Sequence, residues 1–282
     1  MSESWTLLKL LRWTTGYFSD KGIETPRLDA ELLLGHGLGL DRVGVYLNYD
    51  RPLNTAELDR LRPLIKRRGQ REPLQYLTGR TEFWSRELKV TPAVLIPRPD
   101  TEILVEEAVK RAAGKGVLLD VGTGSGAIVI SLAGELPDWQ LYGLDISPEA
   151  LEIARFNLEK HQLAERVRLL EGSLAELPRQ QYDLIVSNPP YIAPEEWDAL
   201  MPEVRCFEPR VALLAEEGGL SCYRQLAEQA ASRLNKGGWL LVEIGYRQAE
   251  AVSELFATAG LEDIFVRNDY AGQPRVVGGR HI

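Results

Sequence analysis

From residue 117 onward, the spacing of apolar and polar positions alternates between two periods. Short apolar runs of strand length recur, and segments with helical spacing lie between them, for example Pro148–His161 and Gly219–Leu234. Such alternation is typical of an α/β fold, in which helices cover both faces of a mostly parallel sheet. The pattern predicts seven strands, at Val117–Val121, Gln140–Asp145, Val167–Glu171, Tyr182–Ser187, Trp239–Ile244, Ile264–Arg267 and Arg275–Val277.

The first eighty residues have a different pattern, with leucines at helical spacing and turn residues between them. Pro26 follows Thr25, which is typical of a capped helix start, and Asn54 to Glu57 predicts a second start. We therefore expect a small α-helical domain over residues 1–80. The leucines that carry this pattern are Leu7, Leu8 and Leu11, then Leu28, Leu32 and Leu33.

Residues 81–97 have strand character that is interrupted at Thr91-Pro92. This predicts a β-hairpin linking the helical domain to a catalytic domain at 98–282. A helix is expected to open at Arg98-Pro99-Asp100-Thr101-Glu102, because acidic side chains suit the first turn of a helix.

The predicted strand Tyr182–Ser187 ends at Asn188-Pro189-Pro190-Tyr191. Proline fixes its own φ and pushes the preceding residue towards extended geometry, so the turn should be stiff. The Asn188 side-chain oxygen and the Pro189 carbonyl could each accept one hydrogen of a planar NH2 group, and the Tyr191 ring could cover its face. The turn is therefore a candidate receptor for an amide or amine. Taken alone, Asn-Pro-Pro could equally be only a strand terminator.

A second candidate site follows the strand Val117–Val121, where the chain reads Gly122-Thr123-Gly124-Ser125-Gly126. Glycines allow a tight turn and close approach of a ligand. Asp145 ends the next strand, where its carboxylate could accept both hydroxyls of a ribose; a cap on the helix beginning at Pro148 is the alternative. A glycine turn alone is a weak signal, because nicotinamide dinucleotide folds also have one, but they normally spell G-x-G-x-x-G.

Charge and composition narrow the possible functions. The net charge is −8, and residues 1–80 carry 13 Lys/Arg against 10 Asp/Glu, whereas residues 81–282 carry 20 against 31. Long bare nucleic acid is therefore an unfavourable ligand for the acidic part. A basic cluster at Arg60–Arg71 fits either a solvated helix face or a dock for an acidic partner or RNA.

The two cysteines and three histidines are too dispersed for a metal site, so no metal is expected. No signal peptide or apolar run of about 18 residues is present, which predicts a cytoplasmic protein.

The glycine turn preceded by Asp120 resembles the first motif of Rossmann-like class I methyltransferases that use S-adenosylmethionine. Asn188-Pro189-Pro190-Tyr191 matches the signature of methyltransferases that modify an NH2 group conjugated to a π system. Across essentially all 282 residues the chain resembles the PrmC (HemK-like) family of release factor glutamine N5-methyltransferases. Further stretches that carry this resemblance are 26–33, 71–79, 96–102, 208–213 and 272–277.

The resemblance implies that S-adenosylmethionine donates a methyl group to the glutamine of the Gly-Gly-Gln motif in class I peptide chain release factors, tuning translation termination. It implies that S-adenosylhomocysteine is the product and that the N-terminal helices grip the factor. We expect the protein to be monomeric. By family, the cofactor residues are Gly122, Thr123, Gly124, Ser125, Gly126, Asp145 and Asn188, with an apolar contact from Leu174; the glutamine residues are Asn188, Pro189, Pro190 and Tyr191.

Two other functions share some of these features. An adenine N6-methyltransferase acting on RNA or DNA would use the same Asn-Pro-Pro-Tyr receptor, but the acidic catalytic part argues against it. A non-catalytic binding module on a degenerate fold would be expected to have damaged motifs, and both motifs are intact.

Overall fold

The computed structural model describes residues 5–282, which fall into two compact units. The first comprises the chain up to Gly79 together with Met201–Phe207, and the second comprises Arg80–Leu200 and Glu208–Ile282. The hairpin that we predicted as a separate linker therefore groups with the second unit. Residues 201–207, which we predicted within the catalytic domain, group with the first unit.

The first unit is α-helical in its described part. Its apolar core is formed by side chains at helical spacing, among them Leu7, Phe18, Leu33 and Leu61, all fully buried. Its helices are α1 Leu7–Asp20, α2 Pro26–Leu38, α3 Arg42–Leu47, α4 Thr55–Gly69, α5 Leu74–Thr78 and the later helix α9 Pro202–Phe207.

The predicted helix starts are found with one difference in capping. Asn54 forms a capping box with Glu57, in which each side chain binds the other residue's backbone N–H. Pro26 occupies the first position of α2, but Thr25 makes no cap bond and instead donates its hydroxyl to Asp29 at 2.8 Å. The fixed φ of Pro26 is therefore the local signal that starts α2.

The helix α9 is joined to the rest of the first unit by a buried ion network. Arg68, which is 6 % exposed, donates to Asp29 at 2.7 Å and to Glu203 at 3.1 Å. Arg71 binds the same Glu203 through two hydrogen bonds of 2.6 and 2.7 Å. Arg68 and Arg71 of the predicted basic cluster are thus paired within the unit, which reduces the positive charge that the cluster can offer a partner.

The second unit is built on a seven-stranded sheet, as predicted. Its order is β5-β4-β3-β6-β7-β9-β8, and all neighbours are parallel except β9, which is antiparallel to β7 and β8. A separate antiparallel hairpin pairs β1 with β2. The strands are β1 Arg80–Phe83, β2 Arg86–Lys89, β3 Val117–Val121, β4 Gln140–Asp145, β5 Val167–Glu171, β6 Tyr182–Ser187, β7 Leu234–Glu243, β8 Glu262–Asn268 and β9 Pro274–Arg280.

Helices cover both faces of this sheet. Successive strand residues point to opposite faces, so Leu118 joins the cluster that contains α6 and α7 while Leu119 joins the cluster that contains α11 and α12. The helices of this unit are α6 Glu102–Arg111, α7 Ala127–Glu135, α8 Pro148–Lys160, α10 Glu216–Gly219, α11 Ser221–Arg233 and α12 Ala249–Thr258, with short 3₁₀ turns at Pro99–Thr101, Pro194–Ala199 and Arg210–Ala212.

Two strand predictions need correction. Val94–Ile96 does not form a strand: the segment lies between Pro92 and Pro97, and the Ile96 N–H donates to the Glu208 side chain at 3.2 Å. The strand β7 starts five residues before the predicted Trp239, because Leu234 pairs with Tyr182 across a register shift and Gly237 adopts a φ of +83°. Glycine reaches such a φ without strain, so Gly237 and Gly238 lie inside the strand.

Candidate active site

The glycine turn lies at the carboxyl end of β3. Gly122, Gly124 and Gly126 have φ values of +73°, +54° and +83°, in the region that side chains other than glycine rarely adopt. The N–H groups of Gly122 and Thr123 donate to the Leu144 carbonyl at 2.8 and 3.0 Å, which fastens the turn to the neighbouring strand β4. The turn is thus held in one shape before any ligand binds.

Asp145, the last residue of β4, also supports this turn. One carboxylate oxygen accepts the Gly124 N–H at 2.8 Å and the other accepts the Ser147 N–H at 3.0 Å. Ser147 is the N-cap of α8, since its hydroxyl accepts the Ala150 N–H. Asp145 is therefore not that helix's cap, and each of its oxygens keeps capacity for a further donor.

Thr123 and Ser125 lie beneath the turn, 5 % and 3 % exposed. The Thr123 hydroxyl donates to the fully buried Asp120 carboxylate at 2.6 Å, and burial raises the pKa of Asp120 to about 7. The Ser125 carbonyl accepts an N–H of the buried Asn157 side chain at 2.9 Å. These side chains support the turn from below.

Asn188 follows β6, which lies next to β3 in the sheet. Its side-chain Nδ2 donates to the Thr101 hydroxyl at 3.2 Å, and that hydroxyl donates to the Glu243 carboxylate at 2.6 Å. Among residues 5–282, no hydrogen bond engages the Asn188 Oδ1 or the Pro189 carbonyl oxygen. Both oxygens therefore retain acceptor capacity.

Tyr191 packs against the apolar cluster that contains α11 and α12. Its carbonyl accepts an N–H of the Gln248 side chain at 3.0 Å, and burial raises the pKa of its hydroxyl far above the usual range, so the ring stays neutral. The half-buried ring therefore packs against this cluster beside the turn.

One cavity of about 320 Å³ collects most of the predicted site residues. Gly122, Gly124, Asp145, Leu174, Asn188 and Pro190 line it, whereas Thr123, Ser125, Gly126, Pro189 and Tyr191 do not. The lining residues that we did not predict as site residues are Ala93, Val94, Leu95, Val121, Ile146, Ser147, Ala150, Gly172, Ser173, Pro209, Val211, Ala212, Leu214, Cys222 and Gln225.

Glu208, which is 5 % exposed, connects two of the cavity-lining segments that we did not predict. Its carboxylate accepts from the Ile96 N–H and from the Arg98 guanidinium, and so ties the 93–98 segment to the segment that contains Val211. The stretches 96–102 and 208–213 had been noted only as resemblance to a family. Because their contact joins positions over one hundred residues apart, sequence spacing gave no sign that they share a wall.

Residues 5–282 contain no group of three or more His, Cys, Asp or Glu side chains placed to hold a metal ion. Over the same range, no helix combines the length and apolar character needed to cross a membrane.

The sheet resembles that of solved methyltransferases. The crystal structure of a methyltransferase from Pyrococcus furiosus matches 69 % of this chain and 89 % of its own, with a TM-score of 0.52 and 19 % sequence identity. This likeness shows the fold: the sheet, with a glycine turn and an acidic residue at the ends of adjacent strands, has the Rossmann-like class I methyltransferase architecture.

Sequence relatives give the family. The family described as "PrmC N-terminal domain" matches residues 9–79, and the family described as "Methyltransferase small domain" matches residues 99–262. The release factor glutamine methyltransferase of Geobacter sulfurreducens is 51 % identical over 99 % of this chain and 98 % of its own length. The protein of the same name from Escherichia coli is 40 % identical over 92 % of this chain and 93 % of its own length. The chain belongs to the release factor glutamine methyltransferase family.

Proposed function

We propose that this protein transfers a methyl group from S-adenosylmethionine to the side-chain amide nitrogen of the glutamine in the Gly-Gly-Gln motif of class I release factors. The relatives' names support the reaction and its substrate. The observation that carries the proposal is that Asn188 and the glycine turn border one cavity. An amide receptor and a methyl donor would then share a single chamber.

The cavity suits the donor in its chemistry. Gly122 and Gly124 border it without side chains, so the backbone is open to a ligand. The Asp145 carboxylate can accept ribose hydroxyls, and Leu174 and Ile146 offer apolar surface to the adenine. A cavity of about 320 Å³ lies within the size range of small-molecule sites. We assign cofactor binding to the Gly122–Gly126 turn, Asp145, Leu174 and Asn188, without a metal.

The receptor accounts for how an unreactive nitrogen could be methylated. The amide lone pair is delocalised into the carbonyl, so the nitrogen must be held and its geometry changed. The bound cofactor supplies an electrophilic methyl group on a sulfonium. If Asn188 Oδ1 and the Pro189 carbonyl accept the two N–H hydrogens, they orient the nitrogen towards that methyl group and favour pyramidalisation. In this assignment, Pro190 and Tyr191 set the course of the turn.

The proton balance needs no dedicated base. The C–N bond forms as the methyl–sulfur bond breaks, and the nitrogen then carries three substituents besides its carbonyl carbon. That species is acidic and loses one proton to water, leaving the N5-methyl amide and S-adenosylhomocysteine. We therefore assign the rate enhancement to positioning.

The same receptor would reject glutamate. A carboxylate would place oxygen against the Asn188 and Pro189 oxygens and leave both acceptors without a hydrogen. Sites built on such pairing can discriminate by factors of about 10⁴ or more. Because the proposed substrate is a translation factor, we place the reaction in the cytoplasm and propose that one copy of the chain is sufficient.

The test uses the full chain, S-adenosylmethionine and a purified class I release factor. Mass spectrometry should find one added methyl on the loop glutamine, and none when that glutamine is replaced by glutamate. Asn188→Ala should abolish transfer while cofactor binding, measured by calorimetry, persists. Methylation of an adenine oligonucleotide but not of the factor would overturn the proposal, and near-normal transfer by Asn188→Ala would overturn the receptor.

A further inference from the structure

Glu243 is a buried carboxyl that the proposed chemistry does not use. It is the last residue of β7, is 1 % exposed, and lies one position beyond Val242, which pairs with Ser187 of β6. The register therefore places Glu243 level with Asn188. Among residues 5–282, no ion pair engages Glu243.

A buried carboxyl without an ion pair is costly unless it makes hydrogen bonds. Its burial raises the pKa of Glu243 to about 7. An apolar residue at this position would avoid that cost, as the neighbouring fully buried Val242 and Ile244 do. The hydrogen bond from the Thr101 hydroxyl, at 2.6 Å, is the only side-chain bond of Glu243 within the described residues. The contact between Glu243 and Thr101 therefore needs a reason beyond packing.

Thr101 connects this carboxyl to the proposed receptor. It is 3 % exposed and lies at the end of the 3₁₀ turn that precedes α6. A threonine hydroxyl has one hydrogen and two lone pairs. When Glu243 is ionised it can only accept, so the Thr101 hydrogen points to its carboxylate and only lone pairs remain for Asn188. Thr101 can then accept from the Asn188 NH2 group but cannot donate to the Asn188 side-chain oxygen. The observed bond fits this, since Asn188 Nδ2 donates to the Thr101 hydroxyl at 3.2 Å.

We propose that Glu243 and Thr101 are positioning residues that fix which way the Asn188 side-chain amide faces, an inference that rests on the proposed role of Asn188 as the glutamine receptor. The two ends of a primary amide are similar in size and opposite in hydrogen-bonding character. With Nδ2 committed to Thr101, Oδ1 is the end left for the substrate.

A reversed amide would damage both binding and specificity. It would present NH2 to the NH2 of glutamine, so two donors would face each other. The reversed form would also pair with an oxygen, and hence with glutamate or with glutamine bound the wrong way round. Glu243, three hydrogen bonds away from the substrate, therefore helps the site to select an N–H group.

The test compares Thr101→Val with Thr101→Ser. Valine has nearly the same shape but lacks the hydroxyl, while serine keeps it. Losing one net hydrogen bond corresponds to about a two- to twelvefold change. We expect Thr101→Val to lower kcat by that factor with the S-adenosylmethionine Kd within about twofold of wild type, and Thr101→Ser to restore most of the rate.

A matched control is Thr14→Val in the first unit. Thr14 is also fully buried, but its hydroxyl has no hydrogen-bond partner among the described residues. Thr14→Val should leave kcat unchanged, which would show that exchanging a buried threonine for valine is not harmful in itself.

Glu243→Gln should retain more activity than Glu243→Leu, because the glutamine oxygen can still accept from Thr101.

Equal kcat for Thr101→Val and wild type would overturn the inference, as would equal losses in Thr101→Val and Thr101→Ser. These outcomes are distinct from failure of the proposed function. In that case the wild-type chain itself would leave the release factor unmethylated, and no comparison of variants would arise. Thermal unfolding of each variant, within a few degrees of wild type, separates misfolding from mispositioning.

Discussion

Asp145 offers the sharpest test of the proposed cofactor site, because its two oxygens have separate structural partners. One accepts the Gly124 N–H at 2.8 Å and the other the Ser147 N–H at 3.0 Å, and the side chain borders the cavity. Asp145→Ala removes both acceptors and leaves nothing to bind the ribose hydroxyls. Asp145→Asn keeps one oxygen and turns an NH2 group towards one of the two backbone N–H groups.

The magnitude follows from the number of bonds lost. A hydrogen bond to a charged group contributes about 1.5–3 kcal/mol, so two ribose bonds correspond to about 3–6 kcal/mol. Since water replaces part of this in the variant, we take the lower end and expect Asp145→Ala to weaken the Kd at least about 100-fold. Asp145→Asn should weaken the Kd about 10-fold, which lies between wild type and Asp145→Ala, because it loses one acceptor.

Isothermal titration calorimetry with S-adenosylhomocysteine measures these constants without turnover. Glu149→Ala is the matched control: it removes a nearby carboxylate that contacts the Ser147 hydroxyl but does not border the cavity. Its Kd should match wild type. A Kd for Asp145→Ala within threefold of wild type would refute the ribose assignment, and equal weakening by Glu149→Ala would show that only the local charge matters.

Two further predictions concern stability. Burial raises the pKa of Asp120 from 3.8 to about 7, so the folded state binds its proton more tightly than the unfolded state does. The resulting stability is present below about pH 4 and is lost as pH rises to about 7, a change of about 4 kcal/mol. The free energy of unfolding in urea should therefore favour Asp120→Asn over wild type by a larger margin at pH 8 than at pH 5. An equal margin at the two pH values would contradict this. Glu203→Ala should destabilise the first unit by about 3–5 kcal/mol, because it leaves the buried Arg68 and its neighbour Arg71 underpaired. Arg62→Ala, which breaks the exposed pair with Asp59, should cost less than about 1 kcal/mol, and similar losses in the two variants would refute the importance of the buried network.

The strands β3 and β6 were predictable to the residue because most of their residues are apolar and turn residues follow them. Val117–Val121 and Tyr182–Ser187 are found with the predicted bounds. The edge strand β8 and its neighbour β9 extend beyond their predictions, at Glu262–Asn268 and Pro274–Arg280. Polar residues flank the apolar centre of β8 because an edge strand is partly solvated, and residues 278–280 continue β9 beyond its valines, so a search for apolar runs stops too early.

The parts of the candidate site that consecutive residues form could be predicted from the sequence. The glycine turn and Asn188 are local motifs, and the structure brings both to one cavity. Tyr191 is also local, but its half-buried ring packs against the apolar cluster that contains α11 and α12, and no short motif encodes that contact. Thr101 and Glu243 are separated by 142 positions, so only the folded chain reveals their contact.

Sheet register connects these separate residues. In the strand order β4-β3-β6-β7, the carboxyl ends supply in turn Asp145, the glycine turn, Asn188 and Glu243. Side chains alternate between faces along a strand, so a slip of one residue between β6 and β7 would turn the Glu243 side chain away from Thr101 and bury its carboxyl without that bond. The pairing of Ser187 with Val242 prevents this. The apolar contacts that fix the register, in both core clusters, therefore also set the direction of the Asn188 amide, and a core mutation that loosens β7 should reduce methyl transfer before it unfolds the protein.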